Sequence, residues 1–114
     1  MAAVTNPPKL QRALGRLGLG CANFGRETPR ELALAMMDHA TANGITHFDT
    51  AAAYSSGGSE QLVGEWLASR NPSSCPFIAT KVKPSYSPAA LRQNVDASRR
   101  RLGVDTLDLL YVHQ

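Results

Sequence analysis

Apolar residues along this chain follow two alternating rhythms. Short runs end near positions 20, 49, 82 and 113, and stretches of helical spacing lie between them. The run RLGLG (16–20) reads as a strand, and TPRELALAMMDHATANG after it reads as a helix. There Thr28 suits the N-cap, Pro29 the first helical position, and Glu31 would complete a capping box. Leu32, Ala35, Met36 and Ala40 mark the expected inward face, with Gly44 placed to end the helix. ITHFD (45–49) is the second strand, and SEQLVGEWLASR the second helix, with Leu62, Trp66 and Leu67 as its apolar stripe. FIATKV (77–82) follows Pro76 as the third strand. Ser87 and Pro88 open a third helix that turns Leu91, Val95 and Leu102 inward and closes at Gly103. LDLLYVH (107–113) is the fourth strand.

Strict alternation of strand and helix predicts a parallel α/β protein with right-handed crossovers. The strand ends recur about every 30 residues, the size of one βα unit. A doubly wound sheet and part of a (β/α)₈ barrel both accommodate this pattern. No shift in composition divides the chain, so residues 16–114 are expected to form one unit behind a lead-in over 1–15. A whole barrel takes about 250 residues, whereas this chain has 114 and no helical stretch after its fourth strand. On the barrel reading the expectation is therefore the first half of a (β/α)₈ fold, truncated after strand 4. Open half-barrel edges would invite self-association.

Composition narrows the function classes. With 43% hydrophobic and 18% charged residues the chain has the balance of a soluble globular protein. The net charge of +3 is scattered, except at Arg99-Arg100-Arg101. That cluster falls in the last turn of a helix, where cations complement the dipole. It has no interleaved aromatic residues, so a solvated helix end is preferred to a phosphate patch, and no nucleic-acid partner is expected. Cys21 and Cys75 lack metal-ligand spacing and are too few for a disulfide framework, which suits a reduced, cytoplasmic setting. His39, His47 and His113 likewise show no ligand spacing, and no metal is expected. No run approaches the roughly 20 apolar residues of a membrane span. The N-terminus, MAAVTNPPKLQRALGR, has no secretory h-region; acid-poor and Arg-containing, it is a faint match to an organelle transit peptide. A short disordered lead-in is the preferred reading. In GLGCANFGRE, Asn23 replaces the third glycine of a dinucleotide fingerprint, and Arg26-Glu27 replaces the Lys and Ser/Thr of a P-loop, so both motifs fail.

The strand ends carry the candidate chemistry. Three of the four runs carry an ionisable residue at or next to their end: Asp49, Lys81 and His113. Strand side chains alternate faces, so Ile45, His47 and Asp49 are expected on one face, Phe77, Ala79 and Lys81 on another, and Leu109, Tyr111 and His113 on a third. If those faces line a barrel, an acid, an ammonium and an imidazole converge at its C-terminal mouth, where barrel enzymes carry their sites. Tyr54, in the loop after strand 2, would reach the same mouth. Singly, each has a bland reading: a loop cap, a solvated strand end, a core histidine, a packing tyrosine. Their joint placement on successive strand ends favours a site. His47 is expected to pack inside the barrel, and Trp66 and Tyr111 in the core. Ala51, Ala52 and Ala53 would leave room between Asp49 and Tyr54.

The stretches GLGCANFG, GITHFDTAAAY, GGSEQLVGEWL, FIATKV and RRLGVDTLDLLYVH together resemble the aldo-keto reductases. The resemblance runs from about Leu17 to His113, and the Gly-Gly-Ser-Glu after Tyr54 looks like the branch of bacterial and plant reductases and potassium-channel β subunits. It implies a barrel that binds NADPH (NADP⁺) at its mouth and reduces a small-molecule aldehyde or ketone. The implied catalytic residues are Asp49, Tyr54, Lys81 and His113. Gly20, Cys21, Ala22 and Asp49 would lie by the cofactor, and Phe24 and His113 by the substrate. A phenol, with a reference pKa of about 10, is a reluctant acid, and a nearby ammonium favours its phenolate. Lys81 would play that part, with Asp49 holding it charged and aimed. The resemblance also allows a non-catalytic NADPH-binding subunit. A lyase using Lys81 as a Schiff base is opposed by Asp49, which would keep the amine protonated. RALGRLGLG runs straight into the first strand without the family's usual hairpin. The family segments that grip the nicotinamide amide, pyrophosphate and 2′-phosphate have no counterpart here, so the isolated chain is expected to be inactive.

Overall fold

The computed structural model describes residues 14–72 and 75–113; all but the end of the expected lead-in lies outside them. Among the described residues four strands, β1 (Leu19–Gly20), β2 (His47–Asp49), β3 (Phe77–Val82) and β4 (Leu109–Val112), alternate with the α-helices α1 (Arg30–Ala42), α2 (Gly58–Arg70) and α3 (Pro88–Leu102). Every pairing is parallel and the sheet order is β1-β2-β3-β4. Sequential order separates the two architectures: a doubly wound sheet reverses its strand order at a switch point, and a barrel does not. The fold is that of the N-terminal part of a (β/α)₈ barrel.

Local signals explain β3 and α3. Ser87 caps α3 by accepting from the Ala90 amide at 3.2 Å, Pro88 occupies the first turn, and Gly103 ends the helix at φ 66°. The other strands are shorter than the apolar runs predict, because pairing partners exist over only part of each run.

α1 departs further from expectation. It begins at Arg30, and no capping side chain bonds its first turn. The Thr28 backbone is instead engaged with the β1–α1 loop, its amide donating to the Asn23 carbonyl and its carbonyl accepting from the Gly25 amide. The capping box is therefore not made. Nor is the inward face the predicted one: Ala33, Leu34, Met37 and Ala40 are buried, while Leu32 and Met36 are exposed. Residues 32–37 are all apolar, so spacing alone could not orient the helix; the sheet does.

The core lies between the sheet and its helices. Phe48 and Ile78 project outward from β2 and β3 into a cluster with Leu34, Met37, Val63, Trp66 and Leu102, and the Phe48 and Trp66 rings meet edge to face at 5.3 Å. Trp66 also donates from Nε1 to Asp38 at 2.8 Å, and Arg70 pairs with the same carboxylate, joining α1 to α2. α2 and α3 touch through Gly64, where a β-carbon would overlap the Arg101 carbonyl oxygen and stand 2.9 Å from that of Leu102. Rigid backbone on the far side leaves no side chain to give way. Gly64→Ala is therefore expected to lower stability by about 1–3 kcal/mol, read as an earlier urea midpoint; an unchanged midpoint would show that the helices part freely.

Candidate active site

Parallel pairing brings all four strand C-termini to one edge of the sheet, where a cleft of about 540 Å³ opens. It is lined by Gly18, Gly20, His47, Asp49, Lys81, Tyr111, Val112 and His113. Asp49 stands in register with Ala79, and Lys81 is two residues farther along the same face of β3. The ladder continues beyond β2: the Thr50 amide donates to the Ala79 carbonyl at 2.9 Å and the Ala52 amide to the Lys81 carbonyl at 3.1 Å. Ala51 and Ala52 are thus buried against β3 and are not the vacant space that three alanines suggest. Small side chains are needed there because the segment lies flat on its neighbour.

From the end of that segment Tyr54 turns back over the cleft. The Lys81 ammonium, with its side chain 16% exposed, donates to Asp49 Oδ1 at 3.1 Å and Oδ2 at 3.0 Å, to the Thr50 carbonyl at 3.0 Å and to Tyr54 Oη at 3.1 Å. Burial by itself depresses the lysine pKa and is the largest single influence. The hydrogen bonds to Tyr54 and Asp49 and the Asp49 charge together outweigh it, so the net shift is upward. Because Lys81 donates to Oη, the phenol's own proton remains available to a third group.

His113 follows β4. Its amide continues the ladder to the Val82 carbonyl at 3.0 Å, and its carbonyl accepts from the Tyr86 hydroxyl at 2.5 Å. Both backbone ends are pinned, and the imidazole meets the Tyr54 ring edge to face at 5.7 Å. Asp49, Tyr54, Lys81 and His113 therefore form one cluster.

The other expected site residues divide between the cleft and the core. Gly20 lines the cleft and Ala22 is exposed beyond it. Phe24, expected as a pocket wall, is only 1% exposed and sits with Cys21 in the core. Burial, and then the Asp49 charge, pushes the Cys21 thiol up to about 12; it stays protonated near neutrality and is a poor nucleophile. Ile45 precedes β2 and packs with α1, not on the cleft face. Tyr111, read as core, is 45% exposed and lines the cleft, 5.9 Å from Lys81 Nζ at its ring centre. His47 lies in the cleft against Phe77, with ring centres 5.5 Å apart. Arg101 is not a solvated helix end but pairs with fully buried Glu60 at 2.7 Å. Sequence reading missed Thr50, Ser59, Glu60 and Thr80, four polar side chains buried completely behind the cleft. Their one legible signal was the adjacent Ser59-Glu60 pair opening the second helix. Among the described residues no acidic, histidine and cysteine side chains gather as a metal site, and no helix is long and apolar enough to cross a membrane.

Comparison with known proteins gives a consistent family. The model of the Aldo/keto reductase family matches residues 16–114. Norsolorinic acid reductase B of Aspergillus parasiticus is 35% identical over 118 residues, covering 88% of this chain and 31% of that protein. The holo form of a Bacillus halodurans aldo-keto reductase superposes with a TM-score of 0.73 at 33% identity, over 85% of this chain and 35% of that one. A Klebsiella pneumoniae aldo-keto reductase in complex with NADPH gives 0.71 at 30% identity, over 84% and 34%. The chain spans about a third of the length of these relatives.

The upward shift at Lys81 has a consequence for stability. A lysine whose pKa is higher in the folded state stabilises the fold fully below its unfolded value, here the ordinary 10.5, and ceases to do so as pH rises through the folded value. Thermal unfolding should therefore show a loss of stability above that pH which is smaller in Lys81→Met; equal alkaline losses in the two proteins would contradict the pairing.

Proposed function

This chain belongs to the aldo/keto reductase family, and from that premise we propose that its cleft reduces an aldehyde or ketone with NADPH. The observation that carries the proposal is the Lys81 ammonium bridging Asp49 and Tyr54 Oη at 3.0–3.1 Å.

Carbonyl reduction needs a hydride for carbon and a proton for the developing alkoxide. NADPH supplies the hydride when bound. The residues present suit its nicotinamide end: the cleft is open at Gly20, where a β-carbon would meet nothing within 4 Å, and the cluster lies on the same face. Gly20 and Asp49 line that space and are the residues proposed to border the ring. Among the described residues, the one lysine or arginine lining the cleft, Lys81, is engaged by Asp49, so these residues supply no cation for the phosphates.

Tyr54 is the proposed proton donor. As its proton passes to the substrate oxygen, negative charge grows on Oη, where Lys81 already donates. That charge meets a preorganised ammonium, with no solvent reorganisation required. Asp49 keeps Lys81 protonated and pointed at Oη. His113, pinned through its backbone beside the Tyr54 ring, is proposed to orient the carbonyl. Phe24 and Cys21, held in the core, take no part in this step. The exposure of Tyr111 and Val112 leaves the cleft wet on the β4 side, so the 114-residue chain by itself is expected to show little or no reductase activity.

NADPH oxidation with a panel of aldehydes and ketones tests the reading, measured on this segment carried within a complete (β/α)₈ barrel. Tyr54→Phe should lower turnover at least about 100-fold, the usual scale for losing a general acid. Unchanged turnover in that variant would refute the assignment. NADPH binding with no turnover on any carbonyl would instead favour a non-catalytic cofactor-binding subunit.

A further inference from the structure

The four buried polar residues missed by sequence reading meet at the head of α2. Ser59 Oγ donates to the Cys21 carbonyl at 2.7 Å and lies 2.7 Å from Thr50 Oγ1. With its single proton committed to Cys21, Ser59 must accept from Thr50. Next to it, Glu60 accepts from Thr80 Oγ1 at 2.7 Å through one carboxylate oxygen and from Arg101 Nε at 2.7 Å through the other.

The two threonines have consequential neighbours. Thr50 follows Asp49 directly, and Thr80 directly precedes Lys81. Strand alternation sends each threonine toward the helices and its neighbour into the cleft. Adjacent residues of one helix therefore grip, from behind, the two backbone segments that project the ion pair. Lys81 closes the circuit from the front by donating to the Thr50 carbonyl at 3.0 Å.

Fastening a helix to a sheet does not require a buried carboxylate. Apolar packing does so without desolvating a charge, and buried polar pairs are best attested where they specify register. Glu60 is fully buried, whereas its Arg101 partner keeps 26% of its side chain in water. Directional bonds to Thr80 define where the end of β3 stands relative to β2, which generic apolar contact would not.

We propose that Ser59 and Glu60 are positioning residues: through Thr50 and Thr80 they hold the ends of β2 and β3 in the register that lets Lys81 reach Asp49 and Tyr54 together. Their importance to turnover rests on the function proposed above; the positioning itself is testable without it.

The sequence contains three lysines, Lys9, Lys81 and Lys83, so ¹³C labelling at the lysine ε-carbon gives a simple spectrum, with Lys81→Met assigning the resonance of interest. Titrating the 114-residue chain follows the Lys81 ammonium directly. Glu60→Gln should lower its proton affinity about threefold, half a pH unit, and Ser59→Ala should move it the same way by less. Leu34→Ala, a truncation in the core between α1 and the sheet, should destabilise the fold yet leave the Lys81 midpoint in place. Thr80→Val removes only the hydroxyl donor to Glu60 and carries the same expectation as Glu60→Gln, deciding the matter if that variant does not fold. A Lys81 midpoint insensitive to Glu60 and Thr80, or moved equally by Leu34→Ala, overturns the positioning role. Turnover in Tyr54→Phe reports separately on the chemistry, so failure of one reading is not failure of the other.

Discussion

An ammonium drawn out of water must find acceptors for three N–H groups, and the cleft end of this sheet is organised around that demand at Lys81. Asp49 offers both carboxylate oxygens, Thr50 its carbonyl and Tyr54 its hydroxyl, all at 3.0–3.1 Å. No single strand could provide this set. It requires β2 beside β3 in parallel, so that both C-termini reach the same edge, and it requires the segment after β2 to continue up the β3 ladder before Tyr54 turns back. Register, loop path and side-chain charge are one constraint here. Moving any of them would leave a largely covered cation short of partners, a state costlier than the pair itself.

Behind that edge α2 is the hub. It reaches α1 through Trp66, Arg70 and Asp38, the sheet through Trp66 on Phe48, and α3 through the bare backbone at Gly64. Its first turn adds the polar contacts of Ser59 and Glu60. Apolar area supplies most of the attraction between these layers, but apolar contact is nondirectional. The polar bonds and the close approach at Gly64 convert a general adhesion into one defined placement. Glu60 in the first turn also suits the positive end of the helix dipole, so its burial agrees with its local position.

The legibility of each element follows from whether its signal is local. Pro76, Ser87, Pro88 and Gly103 delimit β3 and α3 through backbone chemistry that depends on no distant partner, and both elements stand where these residues imply. Residues 32–37 are apolar throughout, so the orientation of α1 was open until the sheet chose Leu34 and Met37 over Leu32 and Met36. Aromatic residues misled in both directions. Phe24 lies in a loop yet fills the core, while Tyr111 lies on a strand yet faces the cleft. A ring's hydrophobicity says that it will be covered, not by what. Thr50 and Thr80 carry no sequence signature of burial at all, since a hydroxyl is equally at home in water until three-dimensional packing supplies its partner.

By itself the sequence determined the alternation of strands and helices, the parallel direction that alternation forces, and the placing of Asp49, Lys81 and His113 at successive strand ends. Those properties are written in periodicity and in turn-forming residues, which act over a few positions. Tertiary structure decided the sequential strand order, the face of α1 that is buried, and the meeting of Lys81 with Asp49 and Tyr54. It also decided which polar groups lie dry behind them. Each of these depends on contacts between residues some 20–40 positions apart, such as Thr80 with Glu60 or Arg101 with Glu60. No local pattern encodes such a distance; only the packed chain brings those groups within hydrogen-bond reach.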